Sequence, residues 1–428
     1  MTTPLRLGIA GLGTVGVGVV KIVQRQANLL ATRTGRPIVI SAVSARSRDK
    51  DRGVALGKYA WEDDPVALAQ RDDVDVFVEL MGGDDGPAKS ATEAAIAAGK
   101  DVVTANKAML ALHGQALAEA AEAAGLVLRF EAAVAGGIPV IKALTEGLSG
   151  NAVDRVMGVM NGTCNYILTR MDNAGLTYEQ AFAEADELGF LEADPNLDVG
   201  GIDAAHKLTL LAAIAYGTRV DFDAIQLEGI GAITIEDIRR AGDMGYKIKL
   251  LGVAQMTGRG LEQRMSPCLV PATSPLGQLE GGTNMVVLEG DAVGQIVLRG
   301  AGAGEGPTAS AVLSDICDIA RGIRLPTFGM PATALEAAPP ASAASPARYY
   351  LRMELADKPG ALAKVATALG EAGISIDRMR QYDHPGDNAP VLIVTHKAAR
   401  PSLDAALAAL PATGVLAGEP VALRIEDV

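Results

Sequence analysis

The sequence predicts an α/β chain that opens with a parallel sheet covered by helices, and three observations carry that prediction. Short Val/Ile-rich runs alternate with Ala-rich helical stretches up to about Phe130; the glycine-rich loop GLGTVG joins the first run to the first helix; and the alternation is lost beyond Gly136. The predicted strands are RLGIAG, PIVISAV, DVFVEL, DVVTA and LVLRF. Thr14–Leu30, Ala88–Ala98 and Ala108–Ala124 are the predicted helices, with Gly99 and Gly125 placed to end the last two.

Beyond Gly136 the pattern is α+β. Ile138–Leu148 and Ile202–Tyr216 have helical spacing, and Lys249–Arg299 carries several short strand-like runs. Thr308–Arg321 is helical and is expected to return to the first unit. PATALEAAPPASAASPAR, Pro331–Arg348, has no sustained apolar period and predicts a semi-extended linker. After it, YYLRMELA, a helix over Gly360–Gly370, ISIDRMRQ, PVLIVTH, a helix near Leu403–Leu410 and VALRIE predict a βαββαβ unit. The expected divisions are a dinucleotide-binding domain over 1–134, joined by 305–330, a substrate domain over 135–304, a linker over 331–347 and a final domain over 348–428.

Composition narrows the function classes. The 428 residues are 49% hydrophobic and 21% charged, the balance of a folded chain rather than a disordered one. A net charge of -13 repels phosphate backbones, and no Lys/Arg cluster interleaved with aromatics offsets it, so nucleic acid is excluded as a partner. Cys164, Cys268 and Cys317 lack CxxC or Cys/His spacing, which predicts a reducing cytoplasm and no structural zinc. Arg6 followed by LGIAGLGTVGVGVV resembles a secretory leader only until its five glycines are counted. Elsewhere charges interrupt every apolar run short of membrane-spanning length, so no membrane association is expected.

The glycine loop is read from its context. Following a strand and opening a helix, Gly11 permits the tight turn, Gly13 lets backbone N–H groups approach a pyrophosphate and Gly16 allows helix and strand to pack closely. Thr14 and Val15 stand at the helix N-terminus, which favours phosphate. The plainer alternative is a βα turn with no ligand. At the end of the second strand, where NAD-selective folds usually place an acid, the chain has Ser44, Arg46, Ser47 and Arg48. Arginines suit a 2'-phosphate, so NADP(H) is favoured and NAD(H) stays open; solvated loop cations are the alternative.

The stretch Glu187–Lys207 concentrates Glu192, Asp194, Asp198, Asp203 and Lys207 around a turn containing Pro195, Gly200 and Gly201. On a helix, Asp203 and Lys207 are one turn apart and share a face, which by itself is most simply a surface ion pair. A second lysine, Lys107, follows the fourth predicted strand in TANK, at the strand ends where open α/β sheets bind ligands. As an ordinary first-turn residue it would oppose the helix dipole. Cys164 has no base nearby in sequence, so it is read as a small buried residue. His206 points roughly 100° away from Lys207 on the helix and is read as a packing or surface histidine.

These residues resemble the homoserine dehydrogenase family. The resemblance rests on GLGTVG, LMGG (Leu80–Gly83), TANK (Thr104–Lys107), EAAVAGGIPVI (Glu131–Ile141), GVMNGTCNYIL (Gly158–Leu168), AGAGEGPTASA (Ala301–Ala311) and above all DPNLDVGGIDAAHK, ending at Lys207. It implies reversible NAD(P)H-dependent reduction of L-aspartate 4-semialdehyde to L-homoserine, with Lys207 as the proton donor and acceptor and Lys107 reaching both cofactor and substrate. Burial and Lys107 would depress the Lys207 pKa whereas Asp203 would raise it. The resemblance further implies Glu192 and Asp203 on the substrate ammonium, with Asp198, Thr163 and Gly189 in the substrate site; Asp194 and Asp198 are then read as ordering the loop or orienting Lys207. Gly82, Thr104 and Gly304 would join the cofactor site. Phe190 and Leu191 stand where the family commonly has Tyr and a small residue, which touches pocket shape and not charge.

The same family binds a monovalent cation, which implies sodium on the backbone carbonyls of Glu131, Val134, Gly136 and Ile138; an irregular hinge is the alternative. Arg348–Gln381 resembles an ACT domain, with Asp357, Gly360 and Ala361 at its effector turn, and implies threonine feedback and pairing between chains as a homodimer or homotetramer. A dimerisation domain that binds nothing is the alternative. Two other readings are weighed: an aspartate-semialdehyde dehydrogenase, which requires a catalytic cysteine, and an inert nucleotide-sensing regulator. The complete set of acids and lysines disfavours both.

Overall fold

In the computed structural model, residues 3–192 and 194–428 are described. The first sheet comprises β1 (Leu5–Ala10), β2 (Ile38–Ser44), β3 (Ala60–Glu62), β4 (Val76–Glu79), β5 (Asp101–Thr104) and β6 (Leu128–Arg129). Its order is β3-β2-β1-β4-β5-β6 and every pairing is parallel. Strand order reverses between β1 and β4, and an open sheet of this kind leaves a ligand crevice outside the carboxyl ends at that point. Both faces are covered: Val19 and Val20 of the helix Thr14–Thr34 share one core with Leu7 and Ile9 of β1, while Ala88, Ala91 and Ala95 pack with Phe77 on the other side. The edge strand β3 was not predicted; three half-buried residues carry too little period to announce a strand.

The helix Glu305–Arg321 lies on the first helix, its Ala309, Val312 and Ile316 entering the same core. Gly18 makes this approach close, since a Cβ there would lie 2.9 Å from that of Ala309. Lys21 and Glu305 pair across the contact at 2.8 Å.

The second sheet is built from β7 (Val153–Val159), β8 (Gln226–Leu227), β9 (Tyr246–Thr257), β10 (Gly260–Pro271), β11 (Thr283–Gly290), β12 (Gly294–Ala301), β13 (Arg348–Ala356), β14 (Ile376–Gln381), β15 (Asn388–Thr395) and β16 (Val421–Ile425). Its order is β12-β11-β7-β9-β10-β16-β13-β15-β14, with β8 on β10. The run predicted as short strands over Lys249–Arg299 is therefore a set of hairpins, β9 and β10 reaching twelve residues each. Against the face of β9 packs the helix Ile202–Tyr216, whose Leu208 and Leu211 join the core that holds Leu250 and Ala254.

The predicted βαββαβ unit is present, with helices Ala361–Glu371 and Arg400–Ala409 between its strands. It is not hung on a loose tether. β16 pairs in parallel with β10 at Cys268 and Leu269, so one sheet runs through both units. The Ala/Pro-rich segment before it is pinned along the second unit: Arg219 donates to Glu336 O, Leu261 to Pro339 O and Ala341 to Leu261 O, each at 2.9 Å. Arg352 also donates to the buried Asp237 at 2.6 Å. The helix predicted over Ile138–Leu148 is the other difference. After Gly136, Gly137 and Pro139 it begins at Val140 and widens into a π turn over Ala143–Gly147.

Candidate active site

The site begins at the glycine loop. Gly11 has φ +101° and a Cβ there would run into Leu80 O, so only glycine fits. Gly11 N donates to Ser44 O at 2.9 Å, setting the loop at the end of β2. Gly16 approaches Gly11 O too closely for any side chain, whereas nothing lies within 4 Å of where a Gly13 Cβ would stand. The helix Thr14–Thr34 starts there with no side-chain cap, leaving backbone donors free for an anion. These features fit a dinucleotide pyrophosphate.

Behind the loop, the fully buried Glu79 organises the next two turns. Its Oε1 accepts from Met81 N at 2.7 Å and Gly82 N at 3.2 Å, and its Oε2 from Thr104 Oγ1 at 2.6 Å. Thr104 Oγ1 in turn accepts from Asn106 N at 3.0 Å, so the Thr104 side chain is engaged inside the fold and does not reach the cleft. Asn106 caps the helix Lys107–Ala123 through Met109 N and donates to Gly83 O at 2.6 Å. This cap delivers Lys107 into a cleft of about 510 Å³ between the two sheets.

Lys207 and Asp203 enter that cleft from the second unit, on the first two turns of the helix Ile202–Tyr216. Gly201, at φ +83°, starts the helix. Lys207 Nζ donates to Asp203 Oδ2 at 2.7 Å and to Met160 O at 2.8 Å; Lys107 Nζ is 3.0 Å from Asp203 Oδ1. Burial works to raise the Asp203 pKa, but Lys207 and Lys107 outweigh it and hold the carboxyl well below the usual carboxylate range. Burial likewise opposes the Lys107 charge, yet Asp203 prevails, with Glu192 and Asp198 assisting, and the ammonium is raised. The pair predicted on one helix is thus two members of a three-residue cluster whose other lysine comes from the dinucleotide fold.

Asn161, which sequence reasoning did not single out, ties the acids together. It caps the helix Gly162–Ala174 and donates Nδ2 to Asp198 Oδ1 at 2.8 Å and Asp203 Oδ2 at 3.2 Å. Asp198 Oδ2 accepts from Glu192 N at 3.0 Å, so Asp198 orders the loop that carries Glu192. Asp194 accepts from Asn196 N at 3.1 Å within the same loop. The Glu192 carboxyl stands exposed at the cleft rim, its pKa raised by partial burial against the pull of Lys107. Thr163 Oγ1 donates to Phe190 O at 2.9 Å, and both residues line the cleft with Gly189.

Asn284 was also missed. Its Nδ2 donates to Met160 O at 3.1 Å, the carbonyl that Lys207 uses, while its Oδ1 is buried with no hydrogen-bond partner among the described residues. An asparagine inside β11 carries no sequence signal of its own. Met160 O is the junction on which both depend.

Val15, Gly136 and Gly304 also line the cleft. Arg46 stands exposed just beyond β2. Near it, Arg52 donates to Leu12 O at 3.2 Å, tying this basic turn to the glycine loop. Val134 and Ile138 are buried in the core. Ala135 and Gly136 have φ of +57° and +55°, and Ala135 is the sole non-glycine residue with positive φ among the described residues. Glu131, also buried, accepts from Ile141 N and Lys142 N through its carboxylate. Asp357, Gly360 and Ala361 lie in the C-terminal unit, at the turn that begins the helix Ala361–Glu371.

Cys164 is buried, donates Sγ to Asp198 O at 3.2 Å, and has its thiol pKa pushed up by burial, with Asp198 and Asp203 adding to the effect. It is not a poised thiolate. The His206 ring lies 4.4 Å from that of Phe222, and burial lowers its pKa against the pull of Asp203. Among the described residues no helix is long and apolar enough to cross a membrane, and no cluster of three His, Cys, Asp or Glu could hold a metal.

A glycine loop shaped to accept phosphate, at the switch point of a parallel sheet and facing a buried lysine–carboxylate cluster, defines a nicotinamide-nucleotide-dependent oxidoreductase. Comparison with known proteins agrees. The family model described as homoserine dehydrogenase, NAD binding domain, matches residues 11–131, that described as homoserine dehydrogenase matches 139–317, and that of the ACT domain matches 349–412. A homoserine dehydrogenase of Pseudomonas aeruginosa is 42% identical, with 99% of each chain covered. The crystal structure of a homoserine dehydrogenase from Thiobacillus denitrificans is 40% identical and superposes with a TM-score of 0.93 over 99% of both chains. A hyperthermophilic archaeal homoserine dehydrogenase mutant in complex with NADPH is 27% identical, with a TM-score of 0.62 over 74% of this chain and 97% of its own. The chain belongs to the homoserine dehydrogenase family.

Proposed function

We propose that this chain reduces L-aspartate 4-semialdehyde to L-homoserine with NADPH, reversibly, in the cleft centred on Lys207. The observation that carries the reading is the hydrogen bonding of the buried Lys207 amine. Two of the three donor directions of its ammonium go to Met160 O and Asp203, which leaves the third for a substrate oxygen. When bound, the nicotinamide supplies a hydride to C4 of the aldehyde or takes it back from the alcohol. Lys207 donates a proton to the nascent alkoxide on reduction and accepts it on oxidation. Lys107, held charged by Asp203, stabilises the developing oxyanion.

Glu192 at the rim meets the substrate ammonium. Asp203 contributes charge to that end of the cleft, but its oxygens are already engaged by the lysines, so its first role is to orient them. Thr163 and Gly189 shape the substrate wall, and Asp198 holds Glu192 in place. The loop Gly11–Gly16 takes the pyrophosphate, with Gly82 and Gly304 flanking the nucleotide and Thr104 supporting Lys107 from inside. Arg46 meets the 2'-phosphate, so NADP(H) is preferred over NAD(H).

The left-handed turn at Ala135 and Gly136 supports a sodium site formed by the carbonyls of Glu131, Val134, Gly136 and Ile138. The turn at Asp357, Gly360 and Ala361 supports a threonine effector site, and the exposed edge strand β14 supports pairing with a second copy in a homodimer or homotetramer. A cytoplasmic setting suits three buried free cysteines.

The test follows NADPH absorbance with aspartate semialdehyde and no phosphate. Turnover survives Cys164→Ala and falls by about 10³-fold in Lys207→Ala, within the range for loss of a general acid. Nucleotide binding without turnover in the unaltered chain would refute the reading.

A further inference from the structure

β8 and β16 lie end to end along one edge of β10. The first pairs at Arg264 and Met265, the second at Cys268 and Leu269. The two residues between them, Ser266 and Pro267, face a notch in the sheet, and Pro267 has no N–H with which to bind a further strand. The notch is a cavity of about 300 Å³ at the seam between the substrate unit and the C-terminal unit, large enough for a small metabolite. Its lining draws on β8, β10, β13, β16 and the start of the helix Arg400–Ala409.

Positive charge and an unsatisfied donor converge there. Buried Arg264 is spent on Glu262 at 3.0 Å and Glu426 at 2.5 Å. Arg424 pairs with Glu426 and donates Nη1 to Ser345 O at 2.8 Å. Arg400 is half-exposed and engages Asp404 through Nε at 2.8 Å, leaving its two terminal nitrogens open. Tyr349 is 1% exposed, yet its hydroxyl has no hydrogen-bond partner among the described residues. A buried phenol left this way is destabilising, a cost that a bound acceptor removes. Burial raises the Tyr349 pKa, and Arg424, whose guanidinium lies within reach of the hydroxyl oxygen, and Arg400 act against it; both cations can only donate, so the phenol O–H still lacks an acceptor.

We propose that this notch binds a small oxyanion, carboxylate or phosphate, through Arg400, Arg424 and the Tyr349 hydroxyl. Glu228, the acidic residue on the lining, stands ready for an ammonium on the same ligand. The site lies one layer behind the catalytic helix. Leu227, also on the lining, sits where a Cβ on Gly201 would be 3.2 Å from its Cδ1, and Ile230 donates its N–H to Val199 O at 2.9 Å. Val199–Gly201 is the turn from which the helix bearing Asp203 and Lys207 starts. An occupant that bridges β8 and β16 therefore couples the C-terminal unit to the turn that positions Asp203.

The experiment is calorimetric titration of the full chain with malonate and, separately, with inorganic phosphate, at ionic strength matched with sodium chloride. Arg400→Ala and Tyr349→Phe serve as variants, since one lies half-exposed and the other loses a single oxygen; far-UV circular dichroism and a thermal melt confirm that each folds. Saturable binding of at least one anion is expected, weakened at least tenfold in both variants. Malonate alone identifies a carboxylate ligand and phosphate alone a phosphate ligand. No saturable heat with either anion, or binding undiminished in both variants, overturns the site, the latter because it places the anion in the catalytic cleft or elsewhere. Saturating anion is also expected to increase hydrogen-exchange protection over residues 199–203 in the unaltered chain and not in Arg400→Ala; binding without that increase refutes the coupling.

Discussion

Replacing Asp203 with Asn keeps the shape of the side chain and removes the charge that Lys207 and Lys107 share. In the native cluster Lys207 has a side chain 10% exposed and Lys107 one 29% exposed, so their losses differ. Lys107 can turn toward water, whereas Lys207 is left buried with Met160 O and a neutral amide. Stripping one partner from a buried ion pair costs 3–5 kcal/mol, and relaxation of Lys107 places Asp203→Asn near the lower end, at about 3 kcal/mol at pH 7. The pH dependence has a definite sign. The Asp203 pKa is depressed in the folded protein, so its stabilisation is fully present above its unfolded value, about 3.9, and is lost as pH falls through the lower folded value. Wild-type and variant denaturation midpoints should therefore differ at pH 7 and converge in acid. The same substitution loosens a 2.7 Å contact that aims Lys207, and a displacement of about 1 Å costs about 10²-fold in rate. Urea denaturation at pH 7 and at decreasing pH, together with single-turnover NADPH oxidation, measures both effects. A stability change below about 1 kcal/mol with kcat unaltered would show that Asp203 is not the hub of this site.

Other substitutions separate binding from folding. Gly13→Ala has open space for its methyl group and should leave the thermal midpoint unchanged while raising KM for NADPH at least tenfold, because the methyl occupies the pyrophosphate approach; Gly16→Ala meets Gly11 O and should cost about 1–3 kcal/mol in a denaturant titration. Glu192→Gln should raise KM for homoserine roughly tenfold in steady-state assays, with the melting temperature unmoved because the carboxyl is exposed. Arg46→Ala should weaken NADPH in parallel initial-rate measurements and leave NADH within about twofold; an equal loss with both would remove Arg46 from the 2'-phosphate site.

Much of the site was legible because its signals are local. A strand, a glycine triplet and a helix follow one another within Leu5–Thr34, and the chemistry of that turn depends on backbone positions only glycine can adopt. Asp203 and Lys207 were legible as a pair because a helix brings positions four apart onto one face. The helices Gly162–Ala174, Tyr178–Glu187 and Ile235–Asp243 were not assigned in advance, although Asn161, Thr177 and Thr234 cap them in the structure. Their apolar stripes are short, and the caps were the better signal.

By itself, the sequence determined the βαβ rhythm, the glycine-rich turn, the identity of the acids and lysines, and the C-terminal βαββαβ order. Only the tertiary structure decided how those residues meet. Lys207 reaches Met160 O across 47 positions and Asn284 reaches the same carbonyl across 124, contacts set by sheet register and helix packing with no period in the chain. Nor could composition show that the Ala/Pro-rich segment is pinned. A missing apolar period reports the lack of a helix or strand of its own, whereas hydrogen bonds from Arg219 and Leu261 come from elements far away in sequence. Lys107 shows the division most clearly. Its place after the fourth predicted strand was readable, but its ion pair with Asp203 exists only because two separately built units close on one cleft.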